Sequence, residues 1–185
     1  MGRKAGRSPD DTRRDILDAA AVVLVQKGRS TSLADIARQA DVTKGGLLYH
    51  FGSREDLLAA VAEDLLQSYE ELLQSMIDPH DHAPGRFCRA YVRASFVPWS
   101  PDEIGFLTPI VMAIVLDEPR TVEIVDRFTA DLHGRLHGDG LPRDVVDLVV
   151  AAADGASMRP LWWAGVESTS DRALEAQLIA MTRPS

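Results

Sequence analysis

Apolar residues recur at three- and four-residue intervals along the chain, and no stretch alternates long enough to suggest a strand. The pattern predicts an all-α protein of about nine helices. Ser8, Pro9, Asp10 and Asp11 open the first with an N-cap, a proline at N1 and acids facing the positive dipole end. Ile16, Leu17, Ala20, Val23 and Leu24 mark its inner face, and Gly28 stops it. Ser32 with Asp35 reads as the capping box of a second, short helix bearing Leu33, Ile36, Ala37 and Ala40. Asp41, Val42 and Thr43 form a turn, with Thr43 capping a third helix that reaches about Phe51. Residues 53–56 cap a long fourth helix ending near Ile77, about 36 Å at 1.5 Å per residue.

The remaining helices follow the same punctuation. A loop over 79–85 precedes a fifth helix at 86–97, and a sixth is expected from about 101 to 116 with Pro109 inside. A seventh spans about 119–136, an eighth about 142–164 with Pro160 inside, and a ninth 170–181. A helix-interior proline frees a carbonyl and kinks the helix, which opens room between neighbours.

Residues 32–51 are the pattern of a helix-turn-helix. Val42, Leu47 and Phe51 can point inward, the last two at i and i+4, which leaves Lys44, Gly45, Leu48 and Tyr49 facing out. Gly45 and Gly46 each cost about 1 kcal/mol relative to alanine inside a helix. Close approach of the backbone to a phosphate or a base edge is one use for that cost. Thr43 and the free N–H groups of this helix start suit a phosphate oxygen, as do Lys44, Tyr49 and Arg54.

Charge sharpens this picture. The chain carries a formal −8, yet residues 1–54 hold 10 lysines and arginines against 6 acids, and all three lysines fall there. Residues 55–185 hold 10 arginines against 22 acids. Phosphate binding depends on the local field of one face, so an acidic total does not exclude nucleic acid. Arg3, Lys4 and Arg7 are a candidate basic arm along the backbone or minor groove. No run approaches the roughly 18 apolar residues of a membrane span, and the N-terminus lacks the apolar segment of a secretory signal. Cys88 is the single cysteine, which excludes an internal disulfide framework and fits a reducing cytoplasm.

Residues 32–58, SLADIARQADVTKGGLLYHFGSREDLL, resemble the DNA-binding signature of the TetR family of transcriptional regulators. The resemblance implies a DNA-binding domain over 1–54 and a ligand-binding and dimerisation domain over 55–185. It implies a cytoplasmic homodimer on a palindromic double-stranded operator, usually a repressor released by a small effector. By position, DNA contacts then fall on Ser32, Thr43, Lys44, Gly45, Gly46, Tyr49, His50 and Arg54. Two residues depart from the family pattern. Asp41 stands at a corner that is usually glycine, which aspartate tolerates better than most residues. Leu48 replaces a frequent tyrosine, removing a possible phosphate or base contact.

A regulator's effector cavity is mainly apolar with a few polar anchors. Phe96, Trp99, Phe106, Met112, Phe128, Met158 and Trp162 are candidates to line it, with His133 as an anchor, for an apolar or aromatic effector. The stripe Val145, Leu148, Val149, Ala152, Leu174 and Leu178 is the candidate dimer interface through the last two helices, forming a four-helix bundle; an ordinary internal core is its other use. No cofactor and no metal are expected, because His80 and His82 lack a cysteine or glutamate partner and His133 and His137 lack a metalloprotease glutamate. No phosphate loop or nucleophile elbow occurs, so catalysis has no support in the sequence. The alternative is a helical small-molecule-binding protein or enzyme with a vestigial helix-turn-helix.

Overall fold

In the computed structural model, residues 8–97, 118–159 and 169–183 are described. They form eight α-helices with no strand among them: α1 (Pro9–Lys27), α2 (Leu33–Gln39), α3 (Lys44–Phe51), α4 (Arg54–Ser75), α5 (Arg86–Ser95), α6 (Pro119–His137), α7 (Arg143–Ser157) and α8 (Thr169–Met181). The helix expected over 101–116 lies outside the described residues, as do the basic arm at 3–7 and both prolines expected to kink helices, Pro109 and Pro160.

Two compact units emerge, one from residues 8–67 and 118–127, the other from 68–97, 128–159 and 169–183. The first therefore extends past residue 54, the expected end of the DNA-binding domain. Leu57, Leu58, Val61 and Leu65 of α4 join Ile16, Leu24, Ile36, Leu47 and Phe51 in one apolar core, which holds the start of α4 in this unit. Its helix starts are fixed locally. Ser8 and Asp11 exchange side-chain and backbone hydrogen bonds in a capping box, and Ser53 accepts from the Asp56 N–H at 3.0 Å.

The second unit packs α5, α7 and α8 together around Cys88, Tyr91, Val92, Val146, Val149, Ala153 and Leu178. Arg89, 1% exposed, ties its loop and C-terminal end together. Its Nε and Nη2 donate to the two Asp81 oxygens at 2.6 and 2.8 Å, and its Nη1 donates to the Thr182 carbonyl at 2.7 Å and the Pro84 carbonyl at 2.9 Å. This pairing pushes the Asp81 carboxyl down to about 2. Gly85 sits at φ 84°, and a Cβ there would come within 2.8 Å of Arg89 Nη1, Leu141 Cδ1 and the Thr182 carbonyl, so no other residue fits. The loop over 79–85 is thus anchored by a buried arginine.

α4 ends at Ser75 rather than near Ile77, and α5 at Ser95 rather than at residue 97. α7 ends at Ser157, where the sequence suggests a helix to about residue 164. The Asp154 carbonyl accepts both the Ser157 hydroxyl at 2.9 Å and the N–H of the C-cap residue Met158 at 3.2 Å. Among the described residues no helix is long and apolar enough to cross a membrane.

Candidate nucleic-acid interface

The reading element is built from its corner outward. Asp41 adopts φ 55°, the single positive φ outside glycine among the described residues. The turn survives the departure from glycine, with the Val42 N–H donating to the Ala37 carbonyl at 2.9 Å. Thr43 then caps α3, its Oγ1 accepting from the Gly46 N–H at 2.9 Å. Leu47, fully buried, and Phe51, 6% exposed, lock one face of α3 into the core, each contributing about 1.5–3 kcal/mol relative to exposure. Arg13 of α1 stacks over the Phe51 ring at 5.0 Å and covers its outer edge.

With that face fixed, the opposite one is committed to solvent. Lys44 and Gly45 are exposed, and Tyr49 is 85% exposed, an unusual placement for a large ring in a small core-bound helix. His50 is half-buried with its ring edge-on to Tyr49 at 5.4 Å. Leu48 is half-buried, so the residue in place of the frequent tyrosine offers no polar group outward.

The two glycines separate on inspection. A Cβ on Gly46 would lie 3.2 Å from Thr43 Oγ1, so the N-cap itself accounts for that residue. A Cβ on Gly45 would meet nothing nearer than 4.0 Å. The fold therefore gives no reason for glycine at position 45, where alanine would favour the helix.

Ser32 and Arg54 are already engaged. The Ser32 hydroxyl and N–H both donate to Asp35, at 2.6 and 3.2 Å, and Asp35 also receives Lys27 at 2.5 Å and Arg38 at 3.3 Å. The Lys27 ammonium, then the Ser32 hydroxyl, hold the Asp35 carboxyl well below the usual carboxylate range. Arg54 donates to Glu118 at 2.6 Å, and Asp56 pairs with Arg120 in the same unit. Sequence reasoning missed Glu118 and Arg13, since contacts between distant segments leave no local spacing signal. The Asp35–Arg38 pair, at i and i+3, was readable.

In the second unit the expected groups divide. Phe96 and Phe128 pack half-buried against its core, and Met158 is half-buried at the α7 C-cap. Trp99, Phe106, Met112 and Trp162 lie outside the described residues. His133 is exposed with its ring edge-on to His137 at 6.1 Å, and His137 pairs with Asp147 at 2.7 Å, so the expectation of His133 as an interior anchor is corrected. It faces outward because Leu132 and Leu136 take the inner face of α6. The candidate interface stripe divides by burial. Val149 and Leu178 are buried in this unit's own core, Val145, Ala152 and Leu174 pack half-buried against it, and Leu148 is 56% exposed. Among the described residues no cluster of side chains has metal-binding composition.

Two family models match the chain: residues 16–61 fit "Bacterial regulatory proteins, tetR family", and residues 85–183 fit "Tetracyclin repressor-like, C-terminal domain". The chain belongs to the TetR family. Among curated TetR-like relatives, the HTH-type transcriptional regulator SrpR of Pseudomonas putida is 42% identical over 139 residues, 72% of this chain and 63% of its own length. The HTH-type transcriptional regulator AcrR of Shigella flexneri is 41% identical over 64 residues, 34% of this chain and 30% of its own length. The matched stretches thus span under two thirds of either relative. A crystal structure of a transcriptional regulator from Rhodococcus sp. Rha1 shares the fold, with a TM-score of 0.73 at 17% identity over 91% of this chain and 95% of that one.

Proposed function

We propose that this TetR-family chain is a DNA-binding transcriptional regulator, most simply a repressor that leaves a palindromic operator when a small effector binds its second unit. The observation that carries the reading is the outward face of α3. Lys44, Gly45 and Tyr49 stand in solvent on a helix whose other face is locked by Leu47 and Phe51. In this reading Lys44, Gly45, Gly46, Tyr49 and His50 meet the major groove, while Ser32, Thr43 and Arg54 serve phosphates. Ser32 and Arg54 would exchange their Asp35 and Glu118 partners for phosphate oxygens as the complex forms.

Two copies of the chain would join through the outer faces of α7 and α8. Leu148, 56% exposed, and Met181, 39% exposed, are large apolar groups left on those faces, beside the small exposed Ala151, Gly155, Ala176 and Ala180. Small residues allow close helix approach and the large ones supply buried area. An apolar or aromatic effector would lie among Phe96, Phe128 and Met158.

Selection of random duplexes on the purified full chain tests the proposal. The expected product is a palindrome with half-sites about one helical turn apart, roughly 34–36 Å, or a multiple of it. Tyr49→Ala and Lys44→Ala should abolish retention of that duplex and leave the oligomeric state unchanged. No enrichment over the starting pool, at near-physiological salt, would refute the assignment.

A further inference from the structure

Most arginines and lysines described in the first unit are paired with acids. Arg14 holds Asp18 and Asp64, Lys27 and Arg38 share Asp35, Arg54 holds Glu118, and Arg120 holds Asp56. Arg29 has a partner too. Among the described residues no carboxylate pairs with Arg13, Lys44 or Arg127. Lys44 belongs to the outward face of α3, and Arg127 lies on α6. Arg13, exposed on α1, is left without a role.

What Arg13 touches is a ring at the end of the reading helix. Its guanidinium lies over Phe51, 5.0 Å from the ring centroid, and Phe51 is the last residue of α3. The core holds that ring in place, so the arginine rests on a fixed platform. The guanidinium donors lie in its own plane, and a ring beneath takes the face and leaves the N–H edge open. Stacking also restrains a side chain that is otherwise rich in rotamers. An ordered cation with open donors thus stands at the C-terminal end of α3.

From this arrangement we infer that Arg13 is a phosphate ligand of the operator, at the rim of the groove that α3 enters. The N-terminal residues of a recognition helix meet the base edges. α3 has 8 residues, about 12 Å of helix, which is close to the width of the major groove. Its C-terminal end, with Arg13 over Phe51, therefore falls toward the edge where the phosphates run. A phosphate accepts a planar guanidinium through two parallel hydrogen bonds, and Phe51 holds the fork ready for them. The inference rests on the DNA-binding reading of α3 and adds a contact from α1, a helix outside the signature at 32–58. A cation at a helix C-terminus also complements the dipole, but that role acts on Tm and not on salt dependence.

Gel-shift titration of the full chain on the selected duplex tests it. Arg13→Met keeps an apolar cover on Phe51 and removes the charge. It should weaken binding about tenfold or more and lower the slope of log K against log salt by about 1, with the Tm held. Arg13→Lys keeps the charge without the planar fork, so it should keep the slope and recover part of the affinity. A third arm leaves the protein untouched: each phosphate of one half-site is replaced in turn by an uncharged methylphosphonate. One such replacement should weaken the wild type and leave Arg13→Met unaffected. Unaltered affinity and slope in Arg13→Met, or equal losses in both chains at every phosphate, would overturn the inference. No enrichment of any duplex sinks the regulator reading and this inference with it. Tight retention by the wild type that does not depend on Arg13 sinks this inference alone.

Discussion

Replacing Gly45 by alanine separates what the fold needs from what a partner needs. The added Cβ would find no protein atom nearer than 4.0 Å, so nothing in the chain resists it. Alanine gains up to about 1 kcal/mol over glycine inside a helix. Position 45 lies in the first turn, where roughly half of that is a fair expectation, or a rise of about 1–2 °C in Tm for a chain of this length. Operator affinity should move the other way. A methyl group on the face that approaches the groove would hold the α3 backbone away from its phosphate or base edge. Losing one hydrogen bond to a charged group costs about 1.5–3 kcal/mol, roughly 10- to 150-fold in Kd. Gly46→Ala is the control, because its Cβ would crowd Thr43 Oγ1 at 3.2 Å and weaken a cap worth about 1 kcal/mol. Circular dichroism melts and gel-shift titrations on the selected duplex measure both quantities. An unaltered Kd for Gly45→Ala would remove Gly45 from the contact surface, and a lowered Tm would show that the fold needs the glycine after all.

Asp81→Ala should cost about 3–5 kcal/mol in denaturant unfolding, because it strips the paired carboxylate from an arginine that is 1% exposed. The wild-type pair has a pH signature of definite sign. A carboxyl depressed from 3.8 to about 2 stabilises the fold above 3.8, and that contribution fades as pH falls toward 2, which acid titration of the melt should register. Cys88 is fully buried, and burial first, then Asp139, pushes its thiol up to about 11, so iodoacetamide should label it no faster than the chain unfolds. If two copies join as proposed through α7 and α8, Leu148→Glu should leave a monomer in sedimentation runs without lowering the Tm. Arg54→Ala should reduce the slope of log K against log salt by about 1, and an unchanged slope would mean that Arg54 meets no phosphate.

Local grammar carried most of the fold. Ser8, Ser32, Thr43 and Ser53 cap the helices they precede because a cap is a contact within four residues, visible as spacing. The inward face of α3 was legible for the same reason, since Leu47 and Phe51 are one helical turn apart. What the sequence hid were pairings between distant segments. Arg89 looks like a surface arginine until Asp81 and the Thr182 carbonyl close around it. Arg54 reads as a free phosphate ligand until Glu118 is placed beside it. The stripe on α7 shows the limit of periodicity itself: it identifies an apolar face but not which neighbour covers it. Val149 turned inward within its own unit, and Leu148, one residue earlier, turned out.

The sign of the total charge misleads for a physical reason. Between Asp41 and Glu55 the chain carries no acidic side chain, and Lys44, His50 and Arg54 fall inside that window. Charges separated by more than about 8–10 Å are largely screened at physiological salt, so a phosphate at the N-terminal end of α3 responds to this window and to the free N–H groups of its first turn. The nearby acids are also spent on the protein. Asp35 is shared by Lys27, Arg38 and Ser32, and Asp56 by Ser53 and Arg120, which leaves their fields partly neutralised where they stand. The acids beyond residue 55 lower the pI, and one of them, Glu118, pairs with Arg54 at 2.6 Å. An acidic chain can therefore present a locally cationic reading helix.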